Sequence, residues 1–314
     1  MHTVPHPSSR IDQPDPHGRP LPIVNMMTVD VEDYFQVSAF EGHIERQAWG
    51  SFESRVCRNT DRLLELFDGA GVRATFFMLG WVADRFPELA GRISAAGHEI
   101  ASHGYAHRLV YDMTPAEFAD DLRRAKAVLE DASGQRVTGY RAPSYSITKR
   151  ALWAFDVLVA EGYLYDASVY PIHHDRYGIP DSPRRPYRVT RSAGSLWELP
   201  GSTVRWCGLN VPIGGGGYFR LMPYWWTRRA IAHVNAREGQ PVMFYLHPWE
   251  IDPEQPRVKA SPVSRFRHYQ NLKETEPRLR RLLSDFTFAT ATSVLLKTTA
   301  AEAASLSAAP PALA

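Results

Sequence analysis

An α/β fold with a parallel sheet covered by helices is predicted for this chain, on three observations. Short apolar runs alternate with helix-like segments over most of its length; the runs are the length of buried strands; and several of the helices carry explicit start and stop signals. Such alternation builds a parallel sheet, either open or closed into a barrel.

The strand-like runs are Ile23–Val29, Arg73–Leu79, His98–Ala101, Val137–Tyr140, Tyr163–Tyr165, Leu196–Leu199 and Val242–Leu246. Between them, Asn59 or Thr60 can cap a helix carrying Leu63, Leu64 and Phe67. Thr114-Pro115-Ala116-Glu117 has the spacing of a capping box and a proline where the first helical residue belongs. Thr148 opens a further helix with Leu152, Phe155 and Val159 on one face, and Gly162 ends it.

The flanks differ in composition. Residues 1–21 are Pro-rich and polar and read as a flexible arm, while 299–314 are low-complexity and read as a disordered tail. A single domain is expected over 22–292, with 293–314 as the C-terminal end. Of 314 residues 44% are hydrophobic and 22% charged, and 36 basic residues against 34 acidic ones leave a charge of only +2. That balance gives no reason to expect a nucleic-acid partner. Cys57 and Cys207 are too few for a disulfide framework or a Cys-rich zinc site. No apolar run reaches the length of a membrane span. The first residues lack the apolar stretch of a secretory signal, so a cytoplasmic protein is expected.

Reactive groups gather where parallel strands end. The first run, MMTVDVEDYF, exits into Asp30, Glu32 and Asp33, and carboxylates so close together repel unless a cation or proton intervenes. SHGYAH places His103 and His107 four residues apart, so a helical turn would let both imidazoles bind one metal. GYRAPSY ends the fourth run with Arg141, and Pro143 restricts the backbone behind it. YDASVYP carries Asp166, and VMFYLHPWE ends in His247. Singly, each could be a surface or structural residue. Together, five strand ends supply a metal site, a spare carboxylate, a cation and a spare imidazole, the inventory of a hydrolytic metal centre. Five of the eight tryptophans fall between Trp197 and Trp249; most are expected in the core, with Trp249 as the pocket candidate. Gly214–Gly217 is not a phosphate loop, because no GK[ST] follows.

The order of carboxylates, HxxxH, RAPSY and LH resembles the polysaccharide deacetylase family with the NodB homology domain, over about residues 23–250. PIGGGGYFRLMPYWWTRRAI, FYLHPWEIDPEQPR and SRFRHYQN resemble, more narrowly, deacetylases found with bacterial exopolysaccharide and exosortase (PEP-CTERM/XrtA) loci, a family-specific portion of about 205–292. The resemblance implies a distorted (β/α)7 barrel and a divalent metal, Zn2+ first, with Co2+, Ni2+ or Mn2+ as alternatives. It implies His103 and His107 as ligands, with Glu32 or Asp33 as the third because Thr28–Asp33 departs from the common TFDD form. It further implies Asp30 as general base, Arg141 as its partner, His247 as general acid and Asp166 as the group orienting His247. Tyr145, Pro143 and Trp249 are expected at the substrate. The implied activity is removal of N-acetyl groups from an oligo- or polysaccharide, one form of which is lipid-linked and met at the inner membrane face. An amidase acting on a non-sugar amide and an inactive carbohydrate-binding protein are the rival readings.

Overall fold

The structure, a computed structural model, describes residues 23–308. The arm expected at 1–21 lies outside the described residues, as does 309–314. The last described helix reaches Ala308, within the stretch 299–314 expected as a tail.

The strands are β1 (Asn25–Val31), β2 (Thr75–Met78), β3 (Glu99–Ser102), β4 (Gly139–Tyr140), β5 (Tyr165–Asp166), β6 (Tyr187–Arg191), β7 (Gly194–Glu198), β8 (Thr203–Trp206), β9 (Leu209–Pro212), β10 (Met243–Leu246) and β11 (Phe288–Ala289). The helices are α1 (Val56–Gly69), α2 (Gly80–Arg85), α3 (Pro87–Ala95), α4 (Pro115–Ser133), α5 (Ala154–Ala160), α6 (Gly216–Leu221), α7 (Tyr224–Glu238), α8 (Pro262–Tyr269), α9 (Leu272–Asp285) and α10 (Ala291–Ala308).

Each of the seven predicted apolar runs contains or overlaps one of β1, β2, β3, β4, β5, β7 and β10, and these pair in parallel in the order β10-β1-β2-β3-β4-β5-β7. Strand β1 is buried at every position, as a central parallel strand covered on both sides must be. Antiparallel β6 is added outside β7. The remaining side of the barrel is closed by a loop rather than a strand. Met243 N–H donates to Ser202 Oγ (2.8 Å) and Tyr245 N–H to the Gly214 carbonyl (2.7 Å). A Cβ on Gly215 would stand 2.0 Å from the Tyr245 carbonyl oxygen, so the glycine run exists for this close approach, not for flexibility. This is the distorted (β/α)7 barrel.

The helix signals differ in how local they are. The Thr114 capping box forms in full, and Gly134 closes α4 in the left-handed region (φ 67°). Helix α1 starts earlier than the sequence suggests, at Val56, because its cap is remote: the Asp33 carboxylate accepts from Ser54 Oγ (2.7 Å), Arg55 N (2.8 Å) and Val56 N (3.1 Å). Asn59 and Thr60 lie inside that helix and are buried.

Candidate metal and catalytic centre

Asp30 and Glu32 leave the end of β1 side by side and are both buried. Glu32, His103 and His107 converge so that one ligand atom from each lies within 4.8 Å of the others. The imidazoles do not meet through a helical turn, as the spacing suggested. The SHGYAH segment is irregular, with Gly104 (φ 74°) and His107 (φ 50°) both left-handed. It is pinned by Tyr105 N–H on Asp121 Oδ2 (2.9 Å) and by Arg46, which donates to the carbonyls of Ala106 (2.9 Å) and His107 (3.2 Å).

These three groups suit a divalent cation. His103 Nδ1 faces the Arg141 carbonyl at 2.8 Å, which assigns the proton to Nδ1 and leaves the Nε2 lone pair for a metal. Burial, helped by the neighbouring His107, pushes the His103 imidazole down to about 3, which favours the neutral form that a metal would need. Burial acts to raise Glu32, but His107, His247 and His103 outweigh it and hold the carboxyl below its ordinary value. Glu32 Oε2 sits 2.8 Å from His107 Nε2 and has no hydrogen-bond donor among the described residues. Two nitrogens and one carboxylate oxygen form an ordinary zinc-type donor set with room for further ligands.

Asp33 is not part of this cluster. Its Oδ2 accepts from Ser54, Arg55 and Val56 at the start of α1 and its Oδ1 from the Tyr34 N–H, so of the two carboxylates left open by the sequence only Glu32 reaches the imidazoles.

Arg141 is completely buried. Its Nη1 donates to Asp30 Oδ1 (2.5 Å) and Thr28 Oγ1 (3.0 Å), and the guanidinium lies over the Phe77 ring at 4.1 Å. Burial opposes the charge, yet the Asp30 carboxylate overcomes it and raises the guanidinium above its ordinary value.

His247 follows β10 and faces the cluster from the other side, its Nε2 3.5 Å from Glu32 Oε1 and 3.9 Å from Asp30 Oδ2. The group that orients it is Glu250, not Asp166: Glu250 Oε1 is 2.7 Å from His247 Nδ1 and also accepts the His247 N–H (3.0 Å). Behind Glu250 stands buried Arg220, whose Nε donates to Oε2 at 2.6 Å. Burial alone would lower the His247 imidazole; the Glu250 hydrogen bond and the charges of Glu32, Glu250 and Asp30 raise it to about 9. Asp166 is fully buried elsewhere. Its Oδ1 accepts from Ser168 Oγ (2.5 Å), whose oxygen accepts the Ala142 N–H (2.8 Å), so it braces the Arg141 segment. It also lies beside buried Glu198: burial, then the Asp166 charge, lifts the Glu198 carboxyl well above its ordinary value.

The cleft over the centre has a volume of about 220 Å3 and is lined by Asp30, Glu32, His103, His107, His247 and Tyr145 among others. Pro143 and Tyr145 bound a tight turn with Ser144 and Tyr145 both left-handed (φ 52° and 54°), and the buried Tyr145 hydroxyl has no partner among the described residues. Trp249 is only 5% exposed, near-parallel to His247 (5.0 Å) and His268 (4.1 Å). It therefore backs the site rather than offering an open face to a sugar. Of the groups missed from sequence, Glu250 had a signal: a carboxylate three residues after His247, with Pro248 between, is a capping-box spacing. Arg220 had none.

The polysaccharide deacetylase family model matches residues 44–158, and a domain of unknown function matches residues 167–296. The site spans both, since His103, His107 and Arg141 fall in the first match and Arg220, His247 and Glu250 in the second. A peptidoglycan deacetylase of Helicobacter pylori is 33% identical over 114 residues, 36% of this chain and 37% of that protein. A chitooligosaccharide deacetylase of a Bradyrhizobium strain is 32% identical over 99 residues, 32% of this chain and 43% of that protein. The chain thus spans less than half the length of these curated relatives. Among solved structures, a Mycobacterium smegmatis protein classed as a polysaccharide deacetylase superposes with a TM-score of 0.57 at 22% identity, covering 93% of both chains, a likeness of fold. With the barrel and the clustered histidines in hand, the chain is similar to the polysaccharide deacetylase family over residues 44–158, the stretch that supplies His103, His107 and Arg141.

Proposed function

We infer that this protein is a metal-dependent carbohydrate N-deacetylase, hydrolysing the acetamide of amino-sugar units in a polysaccharide. The observation that carries the reading is the flanking of one Glu32–His103–His107 cluster by two opposed devices, an Asp30–Arg141 pair and a His247–Glu250–Arg220 chain. The relatives named for peptidoglycan and chitooligosaccharide, both N-acetylated glycans, support the substrate class.

Glu32, His103 and His107 would hold the cation. When bound, a divalent ion, Zn2+ being the best fit to this donor set, supplies positive charge beside the scissile amide and acidifies water. Asp30, held in place by its hydrogen bond from Arg141, takes a proton from the attacking water. His247 faces the same space and delivers a proton to the departing nitrogen, without which an amine is a poor leaving group. Water thus adds across the C–N bond, giving acetate and a free amino sugar. Asp166 acts only through the Arg141 segment, and Pro143 and Tyr145 shape the wall met by the sugar. A role in bacterial exopolysaccharide biosynthesis, on a lipid-linked glycan at the cytoplasmic face of the inner membrane, fits the sequence resemblance. Among the described residues no helix is long and apolar enough to cross a membrane.

The test is acetate release from N-acetylhexosamine oligomers, with and without a chelator and with metal added back. Chelator-sensitive release that disappears in Asp30→Asn is expected. No release from oligomers or polymer with any of Zn2+, Co2+, Ni2+ or Mn2+ would overturn the reading.

A further inference from the structure

The segment leading into and through α8 has a character its role in the barrel does not explain. From Pro256 to Asn271 it carries Arg257, Lys259, Arg265 and Arg267 and not one acidic residue. Val263 and Phe266, one helical turn apart, are each 60% exposed. Together with Pro262, a guanidinium pair and two aromatic rings, from Arg257, Arg265, Phe266 and Tyr269, line a shallow cleft of about 380 Å3. Arg257 lies over the Tyr269 ring at 4.2 Å. Among the described residues neither Arg257 nor Arg265 has a carboxylate within ion-pair distance, and Arg267 has only Asp175 at 3.6 Å.

This exposure is not fraying. Buried Arg220 donates to the carbonyls of Arg267 (3.1 Å), His268 (2.7 Å) and Gln270 (3.1 Å), tying down the end of α8. His268, next to exposed Phe266 and Arg267, is itself buried against Trp249. The apolar pair is therefore held outward by the interior of the protein. Residue 266 lines the outer cleft and residue 267 lines the catalytic cleft, so α8 borders both.

We propose that α8 and its basic approach form a docking surface for an anionic phospholipid bilayer, with Val263 and Phe266 entering the interface and Arg257, Lys259 and Arg265 taking the headgroup phosphates. Exposed apolar residues flanked by unpaired cations are the composition of interfacial anchors, and the charge complementarity is with phosphate-bearing headgroups, whose attraction is screened by salt. Docking would set the catalytic cleft at the surface from which a lipid-linked glycan projects. Only that last consequence rests on the deacetylase reading.

The experiment is co-sedimentation of the full chain with phosphatidylcholine vesicles and with vesicles half phosphatidylglycerol, in low and high salt. Retention on the anionic vesicles alone, at least tenfold reduced by high salt, is expected. Val263→Ser with Phe266→Ser, and Arg257→Glu with Arg265→Glu, should each cut retention at least tenfold while leaving acetate release from a soluble oligomer within twofold of wild type, because none of the four side chains lines the catalytic cleft. Equal retention on neutral and anionic vesicles would overturn the proposal, as would retention indifferent to both double variants. So would binding to soluble acidic polysaccharide without binding to vesicles, which would make the surface a glycan reader. Retention is scored without turnover, so its failure is distinct from a failure of the deacetylase reading.

Discussion

His247 Nδ1 stands 2.7 Å from Glu250 Oε1, while Nε2 of the same ring faces Asp30 and Glu32 at 3.9 and 3.5 Å. One ring nitrogen is thus committed to a carboxylate anchored by Arg220, and the other is aimed at the centre. This is the division of labour that the proposed general-acid role requires.

Replacing His247 with Ala should leave metal content unchanged and reduce acetate release on the order of 10²–10⁴-fold. Glu250→Gln should be milder, with a loss on the order of 10–100-fold near neutrality. The Gln variant should also move the basic limb of the pH–rate profile to lower pH. Wild-type His247 is raised to about 9 largely by Glu250 acting against burial, so removing that charge lowers the pH above which the acid form is lost. The two proteins must be compared loaded with the same metal. A basic limb that does not move would mean that Glu250 does not control His247.

Glu32 and Asp33 should separate cleanly. Glu32→Ala should lose bound metal, measured by elemental analysis after dialysis. Asp33→Ala should retain it and lose about 1–2 kcal/mol of stability in denaturant unfolding, because three donors at the start of α1 lose their acceptor. Metal loss in Asp33→Ala with retention in Glu32→Ala would reverse the assignment.

Asp30→Asn should abolish turnover yet bind metal, since Asp30 is not in the Glu32–His103–His107 cluster. It should also destabilise the fold. Arg141 is wholly buried, and a buried charge deprived of its partner costs about 3–5 kcal/mol, less what the Asn oxygen retains by hydrogen bonding. Unchanged stability would show that the pair is not the one described.

Asp166→Asn should keep activity within a few-fold and leave the His247 limb in place, since Asp166 touches Ser168 and Glu198. Its effect should appear in stability against pH. The raised Glu198 carboxyl means that the folded state holds a proton the unfolded chain has released. That contribution is complete below the ordinary carboxyl range and is lost as pH rises through the raised value. The Asn variant, lacking the second acid, should show a smaller loss over the same range; an identical slope would mean that Asp166 does not raise Glu198.

The seven parallel strands were legible because a strand buried on both faces must be a short apolar run, and the start of α4 because a capping box is local chemistry. The edge strand β6 and the hairpin of β8 and β9 were missed. Their residues are mixed or exposed, so their pairing depends on neighbours rather than on pattern.

For the site, the sequence by itself determined which chemistry-bearing residues stand at the strand ends: Asp30, Glu32, His103, Arg141 and His247 follow from strand polarity and residue type. Only the tertiary structure decided what each of them touches. Asp33 went to capping the donors of residues 54–56, Asp166 to Ser168, and the orientation of His247 to Glu250 with Arg220 behind it. The physical reason is that residue type and spacing are local properties, whereas the partner of a buried charge is whichever group the packed chain brings within hydrogen-bonding distance.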